Sequence, residues 1–265
     1  MKSIPLFDFA NHPVPKWLEE IAATAKEEPW GKKYKVLELY LRSSFEIAKQ
    51  QDKVFEDDAK GIAFWKPGYL VSRTMDPMWL IYEKNTIKGR QKWLYKRVLT
   101  GRAPFENINV DDYQVKYEYE DFNPQWDIFI DQRNFNHIVH ENASRLVKVF
   151  GEETAKNSHL LFRTIYGELM LAKKEAATVI SQWYANEYQF LMPLYLTQPD
   201  KVELTAALSI DRTMKRYQLR TLLFPAYAYA YARSVVKSRS QLGAWITFPE
   251  QEINDSEEEE TDTQE

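Results

Sequence analysis

Two histidines lie close together in NFNHIVHENASR, residues 134–145, beside a glutamate, an asparagine and an arginine. Histidine and glutamate form zinc sites and acid/base sites, and arginine binds phosphate. On a helix, His137 and His140 would lie about 60° apart around the axis, so both rings could reach one ion. The other histidines, His12 and His159, lie elsewhere in the chain, and there is no HExxH spacing. We therefore predict no metal and no cofactor.

The helix that carries these histidines also places Asn142 in the middle of its apolar stripe. A buried amide without partners costs about 1 to 3 kcal/mol, so this side chain either ties down a neighbouring loop or faces a ligand pocket. His137, Glu141 and Arg145 form a polar edge beside the stripe. That edge is either an ordinary helix ion pair or a catalytic site. In a catalytic site, His137 would transfer a proton, Asn142 would orient the substrate and Arg145 would neutralise a phosphate.

Other sequence signals of catalysis are missing. The chain has no cysteine, which excludes disulfides, thiolate nucleophiles and thiolate metal ligands. It also lacks GxxxxGK[ST], GxGxxG and GxSxG, so a P-loop enzyme, a Rossmann enzyme and an α/β-hydrolase are all disfavoured.

A basic stretch runs from residue 84 to 102, with seven Lys or Arg and no acid around Trp93 and Tyr95. The cations would bind backbone phosphates, and the rings would stack on bases. On a strand, Trp93, Tyr95 and Arg97 would share one face. The alternative is a solvated hairpin whose rings face the core. A second basic turn, RTMKR, lies further along the chain. The residues that we predict to bind nucleic acid are Lys88, Arg90, Lys92, Trp93, Tyr95, Lys96, Arg97, Lys215, Arg216 and Arg220.

Apolar spacing predicts the helices that must position these groups. Gly151 is the expected C-terminal cap of the helix that carries Asn142, and Pro225 lies at a favoured first-turn position. The predicted helices cover residues 14–28, 32–51, 137–150, 158–183 and the segment that follows Pro225.

Short apolar or alternating runs predict the strands. A strand, turn and strand follow the first two helices, in the order of a winged-helix domain. Two more strands cover 78–84 and 92–99, and PQWDIFI is an edge strand. Near the C-terminus, YQFLMPLYL, VELTAALSID and YQLRTLLF predict an antiparallel meander. We therefore expect an α+β fold with a helical N-terminal part and a winged-helix-like hairpin, then an antiparallel β-meander with long helices. We expect one domain over 1–249, with 1–75 as a winged-helix-like subdomain.

The formal charge of −4 is dominated by the C-terminus. Residues 250–265 hold nine of the 39 acids and no Lys or Arg, which leaves 35 basic against 30 acidic residues elsewhere. We predict that 250–265 is a disordered, solubilising acidic tail; the alternative is that it competes with a polyanion for the basic surface. There is no apolar run of eighteen residues and no basic-then-apolar leader, so we expect a soluble, cytoplasmic protein with no membrane contact.

Several motifs together resemble one known family. They are LFDFA, EPWG, FWKPGYL, MWLIYEKN, NHIVHENASR, LAKKEA, and FLMPLYL running on to YQLRTLLFPAYAYAYAR. Over roughly residues 4 to 245, the chain looks like the bacterial domain of unknown function family 3825. The family pattern His-Ile-x-x-x-Asn-x-x-Arg corresponds to His137, Ile138, Asn142 and Arg145. Around Gly68 the family shows Phe-Asn-Thr-Gly-Leu, whereas this chain lacks the Asn and the Thr.

The resemblance implies a single α+β domain and a connection with RNA, because members resemble nucleic-acid regulators in architecture. We therefore expect a nucleic-acid-binding protein, with RNA preferred over DNA. One alternative is an enzyme that acts on a nucleotide or an RNA phosphodiester. The other is a scaffold or partner-binding protein that forms a homo-oligomer through its aromatic surface.

Overall fold

The computed structural model describes residues 5–13, 16–105, 108–117, 120–184, 187–236, 242, 245 and 246. The predicted acidic tail, 250–265, lies outside them. The described residues form two compact units, each with one mixed five-stranded sheet and several helices, which confirms the α+β class. The first unit contains the residues up to 117 together with 234–236, and the second contains those from 120 to 233 together with 242, 245 and 246. No described helix is long and apolar enough to cross a bilayer.

The sheet of the first unit has the strand order β1-β5-β4-β3-β2, in which only β1 runs parallel to its neighbour. The two predicted helices and the hairpin after them are present. The hairpin, β2 with β3, is one edge of the sheet and is continued by β4 and β5. The elements are α1 (Leu6–Phe9), β1 (Ala10–Asn11), α2 (Lys16–Thr24), α3 (Lys35–Gln50), β2 (Val54–Asp57), β3 (Ile62–Trp65), β4 (Met78–Lys84) and β5 (Trp93–Thr100).

Aromatic side chains cover both faces of this first sheet. On one face, the ring of Phe45 from α3 packs edge-on against Trp65, with 5.2 Å between ring centroids. On the other face, Phe64, Trp79 and Ile81 form a buried cluster. Phe105 and other apolar residues from the segment after β5 pack against this cluster. The aromatic rings of β3 and β4 therefore form part of the hydrophobic core.

The sheet of the second unit has the order β6-β10-β9-β8-β7. Strands β8, β9 and β10 form the predicted antiparallel meander, and the predicted edge strand, β6, runs parallel to β10. The elements are β6 (Asp127–Phe129), α4 (Gln132–Glu141), α5 (Ala143–Phe150), α6 (Glu152–Ala155), α7 (Ser158–Lys174), β7 (Ile180–Tyr184), β8 (Glu187–Leu194), β9 (Leu204–Asp211), β10 (Arg216–Leu223) and α8 (Pro225–Val235).

The predicted helix over 158–183 is wrong beyond Lys174. Leu161, Ile165 and Leu169 of α7 are fully buried at the expected spacing of four residues. Glu175 then leaves helical geometry, a short 3-10 turn follows, and Ile180–Tyr184 pairs with β8. This last segment contains isoleucine, tryptophan and tyrosine, which favour strands. Apolar residues keep the spacing of a helix into this segment, but its pairing with β8 makes it a strand.

The predicted helix over 137–150 begins earlier and is divided in two. Asp131 caps the start of α4 by accepting a hydrogen bond from the backbone N–H of Arg133 at 2.9 Å. Asn142 interrupts the helix, with φ −102° and ψ 19°, so that α4 ends and α5 begins there. Gly151 ends α5 as predicted, with φ 77°, a conformation that favours glycine.

Candidate functional site

Asn142 is completely buried where α4 meets α5. Its Nδ2 donates to the carbonyl of Ile138 at 2.7 Å and lies 3.3 Å from Oγ1 of Thr221 on β10. Its Oδ1 accepts a hydrogen bond from the guanidinium of Arg145. The carbonyl of Ile138 therefore accepts from the side-chain amide and also from the backbone N–H of Asn142, at 2.9 Å. Side-chain bonds of this kind to a carbonyl four residues earlier are associated with bends in helices.

Arg145 is buried as well, with 2% of its surface exposed. Its Nη1 donates to Asn142 and also to the carbonyl of Leu222 on β10, at 2.6 Å. Its guanidinium carbon lies 5.7 Å from the centroid of the Tyr227 ring. Arg145 and Asn142 therefore hold α5 against β10. The side of α5 that carries Arg145 is therefore buried in the core, where a phosphate could not reach the guanidinium.

His137 lies apart from this buried pair, on the surface of α4. Its side chain is 57% exposed, and its Nε2 lies 2.8 Å from Oε1 of Glu141. His140 is exposed too. The structure therefore does not bring His137, Asn142 and Arg145 together around one space. Among the described residues, there is no group of three or more His, Asp or Glu side chains that could hold a metal ion.

The two aromatic residues of the basic stretch face the core, as the alternative interpretation requires. Trp93 is fully buried, and its Nε1 donates to Glu56 Oε2 at 2.9 Å. Tyr95 is 5% exposed, and its hydroxyl donates to Glu20 Oε2 at 3.1 Å. Stacking on bases requires an accessible ring face, which neither residue has. The predicted stacking by Trp93 and Tyr95 is therefore wrong in this structure.

A β-bulge also changes the predicted face of Arg97. In the register with β4, Tyr95 pairs with Tyr82, Arg97 pairs with Ile81, and Lys96 is the extra residue between them. Tyr82 and Ile81 are consecutive and point to opposite faces of the sheet, so their partners do too. Arg97 therefore lies on the face opposite Tyr95, with its side chain exposed. Simple alternation along the sequence cannot reveal a bulge.

Acidic neighbours neutralise two of the predicted cations, Lys92 just before β5 and Lys96 on β5. Lys92 forms ion pairs with Glu56 at 3.1 Å and Asp58 at 3.0 Å, and Lys96 pairs with Glu83 at 2.5 Å. Burial opposes the charge on Glu56, but hydrogen bonds from Lys49, Trp93 and Lys92 outweigh it and lower its pKa to about 2. Lys92 therefore helps to hold the edge of the sheet.

The remaining predicted cations of this stretch are Lys88, Arg90 and Arg97. All three are exposed, and none forms an ion pair within the part of the chain that the structure describes. Lys88 and Arg90 lie in the loop between β4 and β5, where Ile87 is 61% exposed. These three side chains are free to bind an anion.

The second basic turn shows the same division between paired and free cations. Nε of Arg216 donates to Asp211 Oδ2 at 3.1 Å, and its guanidinium carbon lies 4.4 Å from the centroid of the Phe129 ring. Lys215 is exposed in the turn. Arg220 is the extra residue of a second bulge, between the paired residues Leu219 and Thr221, and it is exposed.

A polar row crosses the second sheet, and no signal in the sequence indicates it. Gln182, Gln189, Ser209 and Gln218 are directly paired on four adjacent strands. Each of these strands holds other polar residues as well, so the sequence does not single out these four. Only the strand register shows that they are neighbours.

These features define an α+β protein with two mixed sheets and exposed cations on a hairpin of the first. The chain belongs to the family described as Domain of unknown function (DUF3825), which matches residues 21–241. No curated protein and no solved structure matches the chain.

Proposed function

We propose that the protein binds RNA, in preference to DNA, in the cytoplasm, through the hairpin formed by β4 and β5. The observation that supports this proposal is the set of three exposed cations, Lys88, Arg90 and Arg97, without ion pairs among the described residues. Cations of this kind release condensed counterions when they bind phosphates. The preference for RNA follows from the architecture of the family that the sequence resembles.

The proposed contacts are made to the phosphate backbone. The buried rings of Trp93 and Tyr95 cannot stack, so the hairpin offers charge without base recognition. Phosphate contacts carry no sequence information directly. We therefore expect weak sequence preference at the hairpin together with a strong dependence of affinity on salt.

Fluorescence anisotropy tests the proposal with a labelled single-stranded RNA and a DNA of the same sequence. The affinity is measured between about 50 and 300 mM salt. Three phosphate contacts predict a slope of log K against log salt near −2, since each contact to a single strand contributes roughly −0.7. A flat response, or no binding of either strand, would exclude the proposal. Tighter binding of the DNA would contradict the stated preference for RNA.

The same hairpin supplies a matched control. Substituting the free cations, Arg90→Ala with Arg97→Ala, is expected to reduce the magnitude of the slope by about 1.4. The control replaces Lys92 and Lys96 by alanine and removes the same charge from residues that acids already neutralise. We expect the control to change the slope much less. Equal effects of the two pairs would show that the free cations have no special role.

A homo-oligomer is a second candidate, because α7 carries exposed apolar side chains. Leu160, Tyr166 and Leu171 are 44%, 41% and 55% exposed. Leu160 and Leu171 are eleven residues apart and so lie on the same side of the helix, and exposed apolar groups that share one face are a feature of protein interfaces. Sedimentation equilibrium of the protein and of Leu171→Glu tests this candidate: a mass above one chain that falls in the variant supports it, and a monomer at all concentrations excludes it.

A further inference from the structure

The polar row of the second sheet consists of four uncharged side chains. Gln182 pairs with Gln189, Gln189 pairs with Ser209, and Ser209 pairs with Gln218. Directly paired residues point to the same face of a sheet, about 5 Å apart. The four side chains therefore form a continuous line of hydrogen-bond donors and acceptors across β7, β8, β9 and β10.

The hydrogen bonds of this row are incomplete. Nε2 of Gln182 donates to Gln189 Oε1 at 3.1 Å, but the buried Oε1 of Gln182 has no partner. Ser209 and Gln218 are half-buried, and their side chains form no hydrogen bond with any described residue. Buried polar groups are normally satisfied, and in this row that rule applies to the Oε1 of Gln182 alone. Ser209 and Gln218 are only half-buried, so their unpaired side chains are available to a ligand at the accessible end of the row.

The row opens to the surface next to an aromatic ring. Gln182 and Gln189 are 1% and 3% exposed, whereas Phe129, which pairs with Gln218 in the register of β6 and β10, is 39% exposed. The guanidinium of Arg216 lies 4.4 Å from the centroid of the Phe129 ring, and Asp211 holds Arg216 in place. This end of the row therefore combines a supported, accessible ring with a free amide.

We propose that Phe129, Gln218 and Ser209 bind a nucleobase. A base has a flat face that stacks on an aromatic ring and an edge with alternating donors and acceptors. Glutamine matches such an edge, because its amide presents one donor and one acceptor side by side. The hydrogen-bonding groups of the row are uncharged, so the site recognises the base and not its phosphate.

This site is distinct from the hairpin site, because it lies in the second unit and binds the base, whereas the hairpin binds phosphate. Two sources supply the same chemistry: a free nucleotide and the bases of a single strand. The comparison is made in the Arg90→Ala, Arg97→Ala variant, in which the hairpin contacts to phosphate are weakened. In that variant, a 5′-monophosphate that binds more tightly than an oligonucleotide identifies the first source, and an oligonucleotide that binds more tightly identifies the second.

Uncharged nucleosides are the first probe, because they lack the phosphate that the hairpin would bind. Saturation-transfer NMR and calorimetry with adenosine, guanosine, cytidine and uridine are expected to give a dissociation constant below about 5 mM for at least one of them. The binding is expected not to vary with salt, in contrast to phosphate contacts. The absence of binding by all four nucleosides would overturn the proposal.

Two substitutions test the assigned residues. Phe129→Ala and Gln218→Leu are each expected to weaken nucleoside binding about tenfold, as expected for the loss of a stacking ring or of a paired amide edge. Gln198→Leu is the matched control, because this exposed glutamine lies in the loop beyond the opposite ends of β8 and β9. Circular dichroism confirms that each variant is folded. Equal weakening by Gln198→Leu, or undiminished binding by the other two, would overturn the assignment.

The hairpin proposal and the nucleobase proposal can be tested independently of each other. The hairpin variant with Arg90→Ala and Arg97→Ala is expected to retain nucleoside binding while the salt dependence of its oligonucleotide binding is reduced. Loss of nucleoside binding in that variant would contradict the site assigned here. A salt-dependent oligonucleotide complex without nucleoside binding would leave the hairpin proposal in place and exclude the nucleobase site.

Discussion

The guanidinium of Arg145 donates to the carbonyl oxygen of Leu222, with Nη1 and O 2.6 Å apart. The same nitrogen donates to Asn142, so one buried cation satisfies an acceptor on each side of the boundary between helix and sheet. Arg145→Met retains most of the apolar stem and removes both donors. We expect the free energy of unfolding to fall by about 3 kcal/mol, because both acceptors stay buried without a charged donor. Urea denaturation followed by circular dichroism measures the change.

Arg163→Met is the control for this substitution, since Arg163 is an exposed arginine on α7 in the same unit. We expect its effect to stay within about 0.5 kcal/mol, as for most surface changes. A similarly small effect of Arg145→Met would mean that the buried network does not stabilise the fold. The phosphate role suggested by the sequence would then need to be considered again.

His137 is expected to contribute almost nothing to the fold. Its side chain is 57% exposed, and its contact with Glu141 is a surface pair at i, i+4, which is worth about 0.3 kcal/mol. His137→Ala should therefore change the free energy of unfolding by less than about 0.5 kcal/mol and leave RNA affinity unchanged. Denaturation and anisotropy measure the two quantities. A loss of more than 1.5 kcal/mol would show that His137 has a structural role that its exposure does not reveal.

The sequence predicted those elements whose apolar pattern and end signals agree. Leu161, Ile165 and Leu169 define α7, Gly151 ends α5, and Pro225 begins α8. The end of α7 was missed because apolar spacing continues into β7, where the choice between helix and strand depends on pairing with a distant segment.

The candidate site was harder to predict, because its properties depend on strand register. The burial of Trp93 and the opposite orientation of Arg97 follow from the pairing with β4 and from one extra residue, Lys96. The sequence did show Asn142 as a polar group in an apolar stripe. It could not show that Thr221 and Leu222, about eighty positions later, close the space around Asn142 and Arg145.

His12 should make the stability of the protein depend on pH in a defined window. Burial lowers its pKa from 6.5 to about 4, although the carbonyl of Ala10 acts in the opposite direction. Its ring lies against Trp17, with 4.4 Å between centroids, and its Nε2 is 3.3 Å from the hydroxyl of Tyr82. The folded protein therefore keeps His12 neutral at a pH where the unfolded chain binds a proton. The free energy of unfolding should be highest above pH 6.5 and should fall between pH 6.5 and pH 4, by up to about 1.4 kcal/mol per unit and roughly 3 kcal/mol in total.

His12→Phe is expected to remove this dependence, and the difference between the two proteins isolates it from all other groups. The lowered pKa of Glu56, about 2, contributes stability that is lost only below pH 4.5, and it does so in both proteins. Parallel curves of unfolding free energy against pH for the two proteins, measured from pH 7 to pH 4.5, would contradict the buried, neutral state of His12.

Gly68 lies in the turn where the family shows Asn and Thr before the glycine, and it should not tolerate a side chain. Its φ is 51°, and a Cβ there would approach the hydroxyl of Tyr40 to 2.9 Å and that of Ser44 to 3.3 Å. The Tyr40 hydroxyl donates to the carbonyl of Pro67 at 2.9 Å and accepts from the N–H of Tyr69 at 3.2 Å, so it cannot move freely. Gly68→Ala is therefore expected to lower the free energy of unfolding by about 3 kcal/mol, from backbone strain and the clash together.

A double-mutant cycle separates these two causes of destabilisation. Tyr40→Phe removes the obstructing hydroxyl and, by losing its two hydrogen bonds, should cost about 1 to 2 kcal/mol on its own. In that background Gly68→Ala meets one clash fewer, so the double variant should be at least 1 kcal/mol more stable than the sum of the single effects predicts, while the cost of the positive φ remains. Denaturation of all four proteins measures the coupling. Additive effects would show that backbone strain at Gly68 acts alone and that the close approach to α3 is relieved without cost.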